Sequence, residues 1–206
     1  ANAGFVIFHM DPRPASGKGA VSAWTTYKNL GVQEMKDIVD SIKWLKAQPG
    51  IDGSRIGMSG YSFGGYITAY CMTHSDVFAA GIAGGSPTDW REYDSIYTER
   101  YMSTPQDNPD GYDATSINKS AKDLKGRLMV LHGLIDDNVH MSNSWKLVKA
   151  LQDAGKQFDL MVYPGNRHGV GGRQYQRFQY DFIVNTLGTP TGTPSEESIK
   201  ASPVGP

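Results

Sequence analysis

Residues 56–66, Ile56-Gly57-Met58-Ser59-Gly60-Tyr61-Ser62-Phe63-Gly64-Gly65-Tyr66, constrain the fold more than any other stretch of the chain. A short apolar strand runs there into a Gly-x-Ser-x-Gly turn and straight on into a helix, so Ser62 stands clear of its own backbone at a sharp corner. That layout suits a nucleophile. Gly60 and Gly64 are expected to flank the serine because side chains there would collide across the turn. The backbone N–H of Phe63, at the positive end of the following helix, would supply one half of an oxyanion hole. The alternative is a glycine-rich turn that merely packs tightly. Two fixed glycines and a serine arise by chance in about 5–10% of chains this long, so the decision rests on partners elsewhere.

Those partners must sit on a fold able to hold them. With 206 residues, 39% of them apolar, the chain can bury a real core. It reads most simply as one domain over residues 1–188 with a Pro-, Gly-, Ser- and Thr-rich tail over residues 189–206, expected to be flexible. A net charge of −1 with interspersed acids and bases gives no footprint for nucleic acid or an anionic membrane. No apolar run approaches membrane-spanning length, and no signal peptide is evident. The single cysteine, Cys71, rules out an intrachain disulfide and reads as a buried structural thiol. Gly4-Phe5-Val6-Ile7-Phe8-His9 reads as a strand with no lead-in, and the expectation is that the first strands of the sheet lie upstream.

Taken in order, strands alternate with helices. Pro and Gly over residues 11–19 mark a loop. Val32, Met35, Ile38, Val39, Ile42 and Leu45 recur at three- and four-residue steps, which predicts an amphipathic helix over 31–47, stopped by Gln48-Pro49-Gly50. The helix after Ser62 is expected to run to about His74, a cation placed where it suits a helix C-terminus. Strands are predicted over 78–85, 127–135 and 158–163, and helices over 144–154 and 174–187, the last with Phe178, Phe182 and Ile183 inward. Residues 86–125 lack clear periodicity and read as an excursion above the sheet. This order predicts an α/β fold, a mostly parallel sheet with helices on both faces and right-handed crossovers.

In such sheets functional groups collect at the carboxyl ends of strands. Leu131-His132-Gly133-Leu134-Ile135-Asp136-Asp137-Asn138-Val139-His140 leaves one strand there, and Tyr163-Pro164-Gly165-Asn166-Arg167-His168-Gly169 leaves the next. The chain order Ser62, Asp136, His168 is that of an α/β-hydrolase triad. In this scheme His168 takes the proton of Ser62 and returns it to the leaving group, while Asp136 fixes the imidazole tautomer. Competing readings are that Asp136 or Asp137 caps the next helix, and that His140 is the base. His132, Asp136, Asp137 and His140 match no recognised zinc spacing, so the reading assigns no metal and no cofactor.

With these residues in hand, the chain resembles the catalytic domain of the prolyl oligopeptidase family of serine peptidases, and within it the dipeptidyl peptidase IV branch. The likeness spans residues 5–187 and rests on Gly60-Tyr61-Ser62-Phe63-Gly64-Gly65, on Thr88-Asp89-Trp90-Arg91-Glu92-Tyr93-Asp94-Ser95-Ile96-Tyr97-Thr98-Glu99-Arg100-Tyr101-Met102, and on His132-Gly133 with Asp136-Asp137-Asn138-Val139-His140. It implies an acyl-enzyme peptidase releasing N-terminal dipeptides after Pro or Ala. It further implies that Trp90, Tyr93, Tyr97 and Val139 line a pocket for proline or another small residue, with Asn138 on the substrate carbonyl before it. Aromatic walls suit a flat imino acid ring, although ordinary core packing is the alternative for each. The resemblance implies an upstream tyrosine as second oxyanion donor and an N-terminal β-propeller that holds the substrate amino group, neither within these residues. It also allows a homodimer and a periplasmic or secreted location, with the cytoplasm left open. Two other functions stand beside the peptidase: a carboxylic ester hydrolase, and a catalytically silent interaction module, against which an intact Ser62, Asp136 and His168 argue.

Overall fold

The structure, a computed structural model, describes residues 4–15 and 17–188. Its centre is a parallel sheet of four strands in the order β1 (Gly57–Tyr61), β2 (Ala80–Gly84), β3 (Arg127–Gly133) and β4 (Phe158–Tyr163). Tyr61 pairs with Gly84 and Gly84 with Leu131, while β3 and β4 run on together to the Gly133–Tyr163 pair, so the carboxyl ends of all four strands lie on one edge. The helices are α1 (Ala20–Ala23), α2 (Val32–Lys46), α3 (Phe63–His74), α4 (Ser95–Met102), α5 (Pro109–Ala114), α6 (Ile117–Ser120), α7 (Ser142–Asp153) and α8 (Arg173–Leu187).

Side chains that alternate along each strand divide the core into two layers. Ala83, Leu128 and Val130 face a cluster completed by Ile38 and Ile42 of α2, Ile67 and Tyr70 of α3, and Leu147 and Leu151 of α7. Ala80, Ile82, Met129 and Leu131 face the opposite way, onto Phe182 and Leu187 of α8. Helices therefore cover both faces, as expected of an α/β-hydrolase fold. β2 is fully buried because it lies between two strands and two helical layers. Its small residues let α3 come close: a β-carbon on Gly81 would meet the Met72 side chain at 2.7 Å.

The excursion between β2 and β3 is well packed. Trp90, Met102, Tyr112 and Ile117 are all buried, and Tyr66 of α3 donates its hydroxyl between the carbonyls of Leu30 (2.9 Å) and Thr115 (3.1 Å). Its weak periodicity follows from short helices that each bury only one or two side chains. Thr88 and Asn143 pin the excursion to α7, with Thr88 N–H donating to Asn143 Oδ1 and its hydroxyl to the Asn143 carbonyl, both at 2.9 Å.

Several expectations need correcting. Residues 5–9 pair with no described strand. They lie across an apolar groove of about 760 Å³ from β1, bordered by Ile38, Ile42, Ile56 and Met58, and form no ladder with it. Val6 and Ile7 are consequently 68% and 56% exposed. The next qualification is at His74, which does end α3: it stacks on Tyr70 with ring centroids 3.9 Å apart, and burial lowers its pKa and so disfavours the cation expected there. Neither Asp136 nor Asp137 caps a helix, since α7 starts at Ser142 behind Met141. Cys71 is fully buried, as expected, and burial pushes its thiol up to about 12. The predicted tail over 189–206 lies outside the described residues.

Candidate active site

β1 delivers Ser62 to the carboxyl edge of the sheet, and the chain turns there without an intervening loop. Ser62 holds φ 58° and ψ −120°, a conformation that costs a residue bearing a side chain about 1–3 kcal/mol. Two backbone hydrogen bonds hold it: Ser62 N–H donates to the Gly84 carbonyl at 2.7 Å, and Tyr66 N–H donates to the Ser62 carbonyl at 3.0 Å. Gly60 is required, because a β-carbon there would fall within the backbone of Gly64. The expectation for Gly64 was different and is corrected: a β-carbon on Gly64 meets nothing, so it is the Gly64 main chain, and not an absent side chain, that crowds the turn. Phe63 opens α3, where the first N–H groups of a helix have no intrahelical acceptor.

The loops after β3 and β4 bring the other two groups. They are laced together by backbone bonds from Leu134 N–H to the Tyr163 carbonyl (2.9 Å) and from Ile135 N–H to the Asn166 carbonyl (3.2 Å). Gly133 permits this approach, since a β-carbon would overlap the carbonyls of Asn166 and Arg167. Across the gap the Ser62 hydroxyl donates to His168 Nε2 at 2.9 Å, and His168 Nδ1–H donates to Asp136 Oδ2 at 2.8 Å. This direction follows from the ionised carboxylate, which can only accept.

Asp136 is 4% exposed, and a charge so buried needs donors on each oxygen. Oδ1 accepts from the backbone N–H groups of Asn138 and Val139, both at 2.9 Å. Oδ2 also has the imidazole of His132 at 3.2 Å. The neighbouring Asp137 points outward and pairs with Arg167. His140 lines an open surface cleft of about 500 Å³ with Glu92, Tyr93, Asp94, Asp137 and Asn138, and it is His168 that bonds to both Ser62 and Asp136. Among the described residues no group of three or more His, Cys, Asp or Glu is arranged to hold a metal ion.

The aromatic residues continue directly from the serine turn. Phe63 contacts Trp90 at 6.1 Å between centroids; Trp90 stacks on Tyr97 at 6.0 Å; Tyr97 meets Tyr93 edge-on at 5.4 Å. The Tyr93 hydroxyl donates to Asn138 Oδ1 at 2.7 Å, so the excursion and the β3 loop meet here. Trp90, in ring contact with both, is buried behind Tyr93 and Tyr97, which are half-exposed; Val139, next in sequence to Asn138, is also buried. On the other side Tyr61 sets its ring against His168 at 5.6 Å. Burial and the Asp136 charge push the Tyr61 hydroxyl up to about 12, so it stays neutral.

Sequence reasoning singled out His132 but missed its contacts with Asp136 and Ser144, and it missed Ser144 and the Thr88 to Asn143 pin altogether. His132 and Ser144 lie twelve residues apart, and no local pattern links them.

The prolyl oligopeptidase family model matches residues 1–190. The chain is 38% identical over 188 residues to "Probable dipeptidyl-aminopeptidase B" of Fusarium vanettenii, a match covering 89% of this chain and 21% of that protein. The protein of the same name from Sclerotinia sclerotiorum is 38% identical over 191 residues, covering 91% and 21%. Among solved structures, Porphyromonas gingivalis dipeptidyl peptidase 4 superposes with a TM-score of 0.82 at 36% identity over 86% of this chain and 26% of its own. The chain thus spans about a fifth of the length of the curated relatives it matches. Among the described residues no helix is long and apolar enough to cross a membrane. A strained serine hydrogen-bonded through His168 to a buried Asp136, on this sheet and with this match, places the chain in the prolyl oligopeptidase family.

Proposed function

We propose that these residues carry the catalytic apparatus of a serine peptidase that releases N-terminal dipeptides after Pro or Ala. The observation that carries the reading is the unbroken line of hydrogen bonds from Ser62 through His168 to Asp136, 2.9 and 2.8 Å long. Ser62 Oγ attacks the scissile carbonyl carbon as its proton passes to His168 Nε2. The Phe63 N–H then donates to the oxyanion. Asp136 keeps the Nδ1 proton in place and stabilises the imidazolium. When the C–N bond breaks, His168 returns the proton to the leaving amine, and water repeats the sequence on the acyl-enzyme.

Tyr93 and Tyr97, backed by Trp90, form aromatic walls that suit a flat pyrrolidine ring, we assign Val139 to the same pocket, and Asn138 sits beside Tyr93 with an amide to offer the preceding carbonyl. The dipeptidyl cut is supported by the names of the relatives, not by anything within residues 4–188 that measures distance from a substrate's N-terminus. We assign that ruler to a propeller domain elsewhere in a longer polypeptide.

Fluorophosphonate labelling of the full-length protein, read by peptide mass spectrometry, is expected to mark Ser62, and Ser62→Ala is expected to lower kcat about a millionfold. Turnover at the parent rate in that variant would overturn the proposal.

A further inference from the structure

His132 is fully buried at the end of β3, and every polar atom of its ring is engaged. Nε2 lies 2.8 Å from the Val139 carbonyl and 3.2 Å from Asp136 Oδ2. Both are acceptors, so Nε2 carries the proton and shares it between them. Nδ1 lies 2.6 Å from the hydroxyl of Ser144, which is itself 1% exposed on α7. A neutral ring with the proton on Nε2 accepts there, and Ser144 donates.

Asp136 Oδ2 therefore sits between two imidazoles, His168 at 2.8 Å on the solvent side and His132 at 3.2 Å on the buried side. The same Val139 residue contributes its N–H to Oδ1 and its carbonyl to His132, so the carboxylate and the second imidazole are held by one turn. No loop movement is free to alter one without the other. Burial also lowers the His132 pKa, which agrees with a neutral ring beside the carboxylate.

We infer that His132, locked by Ser144, is a positioning residue for the reaction: its Nε2–H fixes Oδ2 of Asp136 and moderates the pull of that oxygen on the His168 imidazolium. The inference rests on the peptidase reading above. A donor on Oδ2 withdraws charge from it, so its loss strengthens the attraction to protonated His168 and raises the pKa of that base. Tyr61 from β1 lies against His168, Tyr93 reaches the turn through Asn138, α7 contributes the Ser144 hydroxyl, and the exposed Asp137–Arg167 pair lies on the same two loops. The Tyr61 hydroxyl is neutral across the working range.

The test uses the full-length protein with a chromogenic dipeptide substrate and three variants. His132→Phe keeps the ring and removes both nitrogens; His132→Gln returns an N–H near the Nε2 position; Ser144→Ala frees the ring orientation. The expected result for His132→Phe is about a tenfold loss in kcat with KM within twofold, and an acid limb of kcat/KM moved up by roughly half a pH unit. His132→Gln is expected to bring kcat back within about threefold of the parent and to restore the limb. A limb that stays at the parent position in His132→Phe, or that His132→Gln fails to restore, overturns the inference, whatever happens to Tm. Should His132→Phe fail to fold, Ser144→Ala decides, with about a threefold loss in kcat and a limb shift in the same direction expected, and parent behaviour overturning. Fluorophosphonate labelling separates the two levels. An unlabelled Ser62 in the parent protein defeats the peptidase reading itself, whereas a labelled Ser62 with indifferent His132 variants defeats only this inference.

Discussion

The two sides of the site are built by different means. On one side, β1, Ser62 and α3 form a single run of chain in which the backbone does the positioning: a strained serine held by two main-chain hydrogen bonds, and a glycine at position 60 where nothing larger fits. On the other, Asp136, His168, Asn138 and Tyr93 come from three separate loops, and the contacts that join His168 to Asp136 and Tyr93 to Asn138 are between side chains. Backbone placement is dictated within a few residues of sequence. Side-chain placement across loops depends on how the whole sheet closes, and there a single substitution can undo the geometry without unfolding the protein.

The sharpest break in that comparison is between adjacent aspartates. Asp136→Asn is expected to lower kcat about ten-thousandfold, because an amide in that place favours the wrong tautomer of His168. Asp137→Asn should stay within about twofold, since the Arg167 pair it loses is exposed and such pairs contribute about 0–1 kcal/mol. Parallel steady-state kinetics of the two variants check this. Similar losses in both would mean that the loop responds as a unit and that the buried contacts of Asp136 carry no special weight.

A smaller effect is expected in the aromatic walls. Tyr93→Ala removes both a wall and the hydroxyl that holds Asn138, and should cut kcat/KM for a proline dipeptide about a hundredfold while changing hydrolysis of a small activated ester less than about fivefold. Equal losses on both substrates would assign Tyr93 to packing, and would bring the ester hydrolase forward.

The smallest effect lies at the far end of α3, on the backbone-built side, where it should touch stability and leave catalysis alone. His74 is buried with its pKa lowered, so the unfolded chain binds the proton more readily than the folded one. Stability is therefore expected to fall as pH drops below the unfolded value near 6.5 and to go on falling until the folded pKa is passed. His132 contributes in the same direction. In His74→Phe, which keeps the stack on Tyr70, the decline of Tm between pH 7 and 5 should be shallower with kcat unchanged. An identical slope would show that His74 does not titrate differently on folding.

Much of this architecture is legible in the sequence. The β1 to α3 corner, the period of α2, the small residues of β2 and the final helix each follow from local rules, and each is found within a few residues of its expected bounds. The segment at residues 5–9 misled because β-propensity records only that a chain can be extended; pairing needs a neighbour at about 4.8 Å, and here a groove intervenes. Residues 86–125 resisted for another reason. Three short helices with one or two buried side chains apiece leave no period to detect, although the aromatics they carry marked the region as unusual.

By itself, then, the sequence determined the order of elements, the corner that presents Ser62, and the identity of a serine, an aspartate and a histidine at the ends of three strands. Those follow from short-range sterics and from the period of apolar residues. Only the tertiary structure decided that Asp136 and not Asp137 turns inward, that His140 stays on the outer cleft, and that His132 and Ser144 stand behind the carboxylate. The physical reason is that a buried charge must find a donor for each oxygen, and the donors of Asp136 come from its own turn, from β3 and from the loop after β4, which become neighbours only when the sheet is assembled.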